Sequence, residues 1–361
     1  MLVFPAWVDN PYLNLMSLAP RTSGYEFVGA TTFDSLRSRV RTMESGDIVH
    51  LHWTTPILQK ADSLAEAVAR LQEFIQLLDD LRSRRIRLVW TLHNRLPHEL
   101  HYYELEVELY RLLAERSDIV HVMSPDTAEV VADVCTLRPE SVQVIPHMSY
   151  QGVYGGKPSR AGARRRFGIA GDDLAVLFFG QVRPYKGLDL LFDAVERLAE
   201  ESDRPVVLLL AGAVREETPE EVLSRLPKGV RVVSKLEFIP DSEVGDWFAA
   251  ADLAVFPYRA ILNSGSAHLA AAYDVPVVLP GERHLIAQFG AEPWVSFFDL
   301  ESPEESLLDV LKTAQPLNGA LLAADFNARL SPWTISRRYR DALDGLRAGE
   351  GVDVESRTVT A

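Results

Sequence analysis

Short apolar or β-branched runs, each followed by a turn and a longer amphipathic stretch, recur along most of the chain. This alternation limits the fold more than any other feature, because a strand–helix repeat builds parallel sheets with helices on both faces. Strands are predicted at 1–4, 25–29, 47–51, 85–92, 118–122 and 142–145. The plainest helix between them is 63–82, where Leu64, Val68, Leu71, Phe74, Ile75, Leu78 and Leu81 recur at helical spacing. The pattern restarts in the second half, with strands at 174–179, 205–211, 230–234, 253–256, 276–279 and 294–297 and helices at 188–200 and 242–250. Glycine and proline gather in 149–158, which marks a linker.

A chain of 361 residues is long for one core and sufficient for two. The reading is an α/β protein of two Rossmann-like, doubly wound domains facing a central cleft. The first is 1–152, joined by a C-terminal helix at 332–347 whose Trp333 and Ile335 are expected to pack back on it; the second is 153–330. The polar chain beyond Gly349 is expected to fray. Ligands of such sheets sit at the carboxyl ends of strands, so site residues are sought there.

The net charge of −14 argues against a nucleic-acid partner, which needs a basic face. Two local arginine clusters stand against that balance: Arg37, Arg39 and Arg41, and then Arg82, Arg84, Arg85 and Arg87. The first, on 34–41, is the basis for expecting peripheral contact with an anionic membrane, in competition with a plain solvated face. The single Cys135 allows no intrachain disulfide and fits a reducing, cytoplasmic compartment. The N-terminus has neither a basic segment nor a long apolar one, so no secretory signal is expected. No apolar run approaches the roughly 20 residues of a membrane span.

Chemistry concentrates in two segments of the second half. In the first, the apolar run to Phe179 ends at Gly180, and Gln181-Val182-Arg183-Pro184-Tyr185-Lys186-Gly187 leads into a helix. Glycine permits close backbone approach, Arg183 and Lys186 are suited to a diphosphate, and the helix start adds its own field. Neither the P-loop pattern nor G-x-G-x-x-G is present here. In the second, Asn263-Ser264-Gly265-Ser266 follows a strand and opens a small-residue helix, offering hydroxyls and backbone N–H groups to an anion, or simply capping the helix.

These segments carry a family resemblance. The region around Lys186, the stretch 252–258 and Pro276-Val277-Val278 resemble the second domain of GT-B fold glycosyltransferases, close to the large retaining family 4. The segments 47–53, Thr91-Leu92-His93-Asn94, Met123-Ser124 and Val144-Ile145-Pro146 match that family's first domain in order and spacing. The likeness covers roughly 1–345. It implies transfer of a hexose from a GDP- or UDP-sugar to a hydroxyl of a glycan, glycolipid or small molecule, in cell-surface polysaccharide or glycoconjugate synthesis. The nucleotide sugar is then a substrate, and no cofactor or metal is implied. The diphosphate falls to Gln181, Arg183, Lys186, Ser264, Gly265 and Ser266. The nucleotide and sugar fall to Gly180, Gly212, Ile239 and Asn263, and the acceptor to the side of Asn10, Tyr12 and Asn94.

Three departures qualify it. Gln181 stands where the family has arginine, Ile261 and Leu269 stand at its paired glutamates, and Asn10-Pro11-Tyr12 replaces its N-terminal glycine-rich loop. Retention and inversion both stay open. His93, after a buried strand, corresponds to a family histidine beside the donor sugar, where neutral imidazole can hydrogen-bond a hydroxyl. His98 and Glu99 are candidate bases for an inverting reaction, with Asp9 as a weaker one. His50 and His52 read as structural. The alternatives are a GT-B enzyme of another kind, such as a sugar-nucleotide epimerase or a phosphorylase, and a non-catalytic partner protein.

Overall fold

The computed structural model describes residues 1–8, 10–313 and 323–348. Asp9 and the tail beyond Gly349 therefore lie outside the described residues. The chain divides into two compact units, Met1–Met148 with the chain from Pro332, and Ser149–Ser331.

In the first unit, β1 (Leu2–Phe4), β2 (Val28–Gly29), β3 (Ile48–Leu51), β4 (Arg87–Thr91), β5 (Ile119–Val122) and β6 (Val142–Val144) form one sheet in the order β2-β1-β3-β4-β5-β6. All its pairings are parallel. The strand order reverses between β1 and β3, so the carboxyl ends of those strands flank the switch point. The edge strand expected at 25–29 shrinks to Val28–Gly29, both exposed. Among the described residues nothing pairs beyond it, and a short edge is a common way to avoid unwanted pairing.

The helix Leu64–Ser83 begins at Ser63, whose hydroxyl accepts from the Glu66 N–H. Its buried face is Ala67, Leu71, Phe74, Leu77, Leu78 and Leu81. Leu64 and Val68, expected on that stripe, are exposed instead. The C-terminal helix Pro332–Ala348 completes this unit. Ser336 Oγ donates to the Met16 carbonyl at 2.7 Å and accepts from the Ala19 N–H at 2.8 Å. Ile335, Tyr339 and Leu343 are buried, whereas Trp333 is 47% exposed and does not pack as expected.

In the second unit, β7 (Leu174–Phe179), β8 (Val206–Ala211), β9 (Arg231–Lys235), β10 (Leu253–Val255), β11 (Val277–Pro280) and β12 (Val295–Phe298) order as β12-β11-β10-β7-β8-β9. This sheet too is parallel throughout. It is the dinucleotide-binding order read from its β9 edge, with the switch point between β7 and β10. Every residue of β8 is buried, as a two-sided sheet requires.

Asp252, buried just before β10, holds the base of this sheet. It accepts from Arg160 Nη2 at 2.5 Å, Arg164 Nη1 at 3.2 Å and the Ala175 N–H at 2.8 Å. Arg164 is itself buried and also donates to the carbonyls of Ala170 and Asp173. Removing one partner of a buried pair leaves the other charge uncompensated. Asp252→Ala is expected to destabilise the second unit by about 3–5 kcal/mol, read by urea denaturation. A loss under about 1 kcal/mol would show the pair to be dispensable.

Candidate functional site

In the second unit the two segments singled out in the sequence follow β7 and β10, the strands that flank its switch point. Gly180 ends β7 with φ +121°, and Gly212 follows β8 with φ +142°, conformations that L side chains rarely adopt. A Cβ on Gly212 would collide with the Gly180 carbonyl oxygen, and one on Gly187 with that of Pro257. The missing side chains let the loops meet. The Arg259 N–H donates to the Tyr185 carbonyl at 2.8 Å, and Arg259 pairs with Asp189.

Lys186 lies where these loops converge. Its Nζ would stand 3.2 Å from a Cβ on Gly180, with Ser266 Oγ 3.5 Å from the same point. It lies 5.5 Å from the ring centre of buried Tyr258. Among the described residues no carboxylate pairs with it. Burial, and secondarily the charge of Arg183, pull its pKa down to about 8.

Arg183, expected to act with Lys186 on a diphosphate, also has partners within the protein. Its Nη1 donates to Glu216 Oε1 at 2.6 Å, and its Nε donates to Gln181 Oε1 at 3.2 Å. Ser264 Oγ caps the helix Gly265–Ala272 by accepting from the Ala267 N–H, and Ser266 Oγ reaches toward the Phe179 carbonyl at 3.5 Å. Asn263 immediately precedes that cap, and Ile239 is buried in the loop after β9. Glu216, far from Arg183 in sequence, carried no signal that would have nominated it.

The first unit holds a buried polar core that the sequence showed only in part. Thr91 on β4 lies opposite His121 on β5 and diagonal to His50 on β3, and hydrogen bonds link the three. The Ile145 carbonyl can only accept, so His121 Nε2 carries the proton in their 2.9 Å contact. His121 Nδ1 then accepts from the Thr91 hydroxyl at 2.9 Å. Thr91 Oγ1 must in turn accept from His50 Nε2 at 2.6 Å, and His50 Nδ1 accepts from the Tyr339 hydroxyl at 2.6 Å. The tautomers follow from the end carbonyl alone.

His52 Nδ1 lies 3.0 Å from His93 Nε2, and His147 Nδ1 donates to the Met148 carbonyl at 2.7 Å. Burial holds all these imidazoles neutral: His50, His52 and His93 well below the usual range, His121 and His147 at about 4. Tyr12 meets His93 edge-to-face, with ring centres 5.3 Å apart. Asn10 Oδ1 caps the next helix by accepting from the Tyr12 N–H, and the Asn94 carbonyl accepts from Tyr110 at 3.3 Å. His98 is exposed, and Glu99 is paired with Lys60 at 2.8 Å. Neither residue lies on a helix; the next one begins at Tyr103.

Of the arginines proposed for membrane contact, Arg37 pairs with Glu73, while Arg84 and Arg87 of the other cluster pair with Asp80 and Asp118. No helix among the described residues is long and apolar enough to cross a membrane. Among them no group of three or more His, Cys, Asp or Glu side chains is placed to hold a metal ion.

The sequence profile of the family described as glycosyl transferases group 1 matches residues 173–284, most of the second unit's sheet. The chain is 23% identical over 304 residues to the GDP-mannose:glycolipid 4-beta-D-mannosyltransferase of Xanthomonas campestris pv. campestris, covering 83% of this chain and 80% of that one. It is 34% identical over 107 residues to the D-inositol 3-phosphate glycosyltransferase of Geodermatophilus obscurus, 27% of this chain and 24% of that one. The crystal structure of Anabaena HepE in complex with UDP and glucose is similar with a TM-score of 0.69 at 17% identity, covering 95% and 98% of the two chains. WaaG, a glycosyltransferase involved in lipopolysaccharide biosynthesis, is similar at 0.60 and 16%, covering 96% and 100%. The chain thus has the fold of these glycosyltransferase structures, and its residues 173–284 are similar to glycosyl transferases group 1. Within the matched segment, Ile261 and Leu269 stand where the resemblance places paired glutamates.

The hydrogen-bond series in the first unit makes a local prediction. Thr91→Val keeps shape but strands the His50 Nε2–H and the His121 Nδ1 lone pair. At about 1–3 kcal/mol for each unsatisfied group, a loss of about 2–6 kcal/mol is expected in chemical denaturation. An unchanged midpoint would reject the series as drawn.

Proposed function

We propose that this chain transfers a hexose from a GDP- or UDP-linked sugar to a hydroxyl of a glycan, glycolipid or small-molecule acceptor, in the synthesis of a cell-surface polysaccharide or glycoconjugate. The carrying observation is Lys186, a cation without a carboxylate partner among the described residues, set at the switch point of the second unit beside the Gly180 backbone and Ser266. A diphosphate supplies the missing counter-charge. Ser264, Gly265 and Ser266 add hydroxyl and helix-terminal N–H donors, and Gln181 replaces a charge with a neutral donor. Arg183 contributes as a charge already shared with Glu216, so Lys186 carries the larger part. Gly180 and Gly212 give the room, while Ile239 and Asn263 border the nucleotide.

In the first unit His93 is the proposed partner of a donor-sugar hydroxyl, a role that its neutral state suits. Asn10, Tyr12 and Asn94 lie on the acceptor side. His98 and Glu99 are the proposed bases, and Glu99 has to leave Lys60 to accept a proton. The Xanthomonas relative is named for GDP-mannose and a glycolipid, and HepE was crystallised with UDP and glucose; both donor classes are therefore retained. The proposed setting is the cytoplasm, at the inner face of a membrane, with Arg39 and Arg41, which pair with no carboxylate among the described residues, facing anionic lipid.

Stabilisation of the departing diphosphate falls to cations and helix-terminal dipoles, without a divalent ion or other cofactor. Turnover is expected to survive EDTA; strict dependence on Mn²⁺ would overturn this point. A panel of nucleoside diphosphates and nucleotide sugars in a thermal-shift assay tests the site itself, with one base expected to raise the melting temperature most. Lys186→Ala is expected to lower kcat/KM about 100-fold, the scale for losing one preorganised charge-stabilising group.

The lowered pKa gives a pH dependence. Between about 8 and the unfolded value of 10.5, the unfolded chain holds a proton that the folded, empty site has released, so this group raises folding stability as pH rises through that window. Binding runs the other way. A diphosphate favours the ammonium, so its affinity falls as pH rises above about 8, and binding there takes up a proton. Calorimetry in buffers of different ionisation enthalpy reads that proton; no uptake at pH 9 would remove Lys186 from the site.

A further inference from the structure

The switch point of the first unit carries two tryptophans that the proposed donor site does not use. Trp7 follows β1, Trp53 follows β3 and His93 follows β4, all at strand carboxyl ends. Trp7 stacks on Trp53 with ring centres 4.6 Å apart, and Trp53 stacks on His93 at 4.1 Å with planes 12° apart. His93 then leads to His52 at 3.0 Å and so into the buried core. Trp7 closes the outer end of this column. It is 40% exposed, and among the described residues Trp53 is its one ring partner.

A large aromatic ring left half in water has a reason when the column behind it fixes its orientation. Packing against Trp53, itself stacked on His93, holds the plane of Trp7 in advance, so little side-chain entropy remains to be lost on binding. The next turn adds a polar group beside it. The Asn10 N–H donates to the Trp7 carbonyl at 3.1 Å, and the Asn10 side-chain Nδ2 donates to no protein group among the described residues.

We infer that the outer face of Trp7 is a platform for a pyranose ring, which under the transferase reading above is a ring of the acceptor. A pyranose presents a face of C–H bonds inside a rim of hydroxyls. The electron-rich face of indole covers the C–H bonds and leaves the rim to amides and water. The location supports a ligand of this kind, because open α/β sheets bind ligands outside the carboxyl ends at a switch point. Adjacent Val8 is 82% exposed, which also suits insertion into a lipid surface. The sugar is favoured because the column ends on an imidazole proposed to face a sugar, rather than on further apolar surface.

Saturation-transfer NMR on the full chain, with cellobiose and the methyl pyranosides of glucose and mannose as probes, tests this. Transfer to ring C–H protons is expected for the unaltered protein and for Trp7→Phe, and at least a fivefold loss for Trp7→Ala. Nucleotide-sugar thermal shifts are expected in all three, which also shows that each is folded. No transfer to any pyranoside, or equal transfer with Trp7→Ala, overturns the platform. So does a Trp7→Ala variant that keeps its sugar signals but loses sedimentation with phosphatidylglycerol vesicles, since Trp7 is then a membrane contact. If no nucleotide sugar shifts the melting temperature while Trp7-dependent transfer persists, the transferase reading fails and the sugar platform stands.

Discussion

The first unit depends on one directed series of hydrogen bonds: Tyr339 to His50, His50 to Thr91, Thr91 to His121, and His121 to the Ile145 carbonyl. Each buried polar group would be costly alone; in series each satisfies the next. The series spans adjacent strands and reaches the C-terminal helix, so it ties the sheet to the element that closes it. It also explains why several imidazoles can share a core without charge. His52 and His93 rest against that neutral interior, and the aromatic column rests on His93.

The second unit solves a different problem. Its core is apolar across the sheet, and its charge is managed at the ends of the strands. At the base, Asp252 is surrounded by arginines and a backbone N–H. At the carboxyl end, glycines with positive φ let backbones come close enough that Lys186 is desolvated without a carboxylate nearby. One end is compensated and rigid; the other is left one negative charge short.

The strands were legible because parallel strands buried on both faces read as unbroken apolar runs. Val206–Ala211 stands out this way, whereas the edge at 25–29 was overread because no neighbour extends the pairing there. Strand order was not legible, since crossovers set it: one sheet follows β2-β1-β3 and the other β9-β8-β7-β10. The loops after β7 and β10 announced themselves by glycine, cation and hydroxyl following an apolar run. The Arg183–Glu216 pair did not, because it joins residues far apart in sequence through a turn with no motif. His121 and His147 were invisible for a similar reason: a lone histidine in an apolar run looks like any buried polar residue until its partners are known.

Tyr339 and Ser336 belong to the first unit but follow the whole of the second in the chain. During synthesis His50 emerges early, and its phenol partner emerges after every strand of the second sheet. Domains tend to fold as they leave the ribosome. Here the unit that is contiguous in sequence has all its parts first, and the unit that begins the protein is the last to be completed. The order of maturation is therefore the reverse of the order of translation.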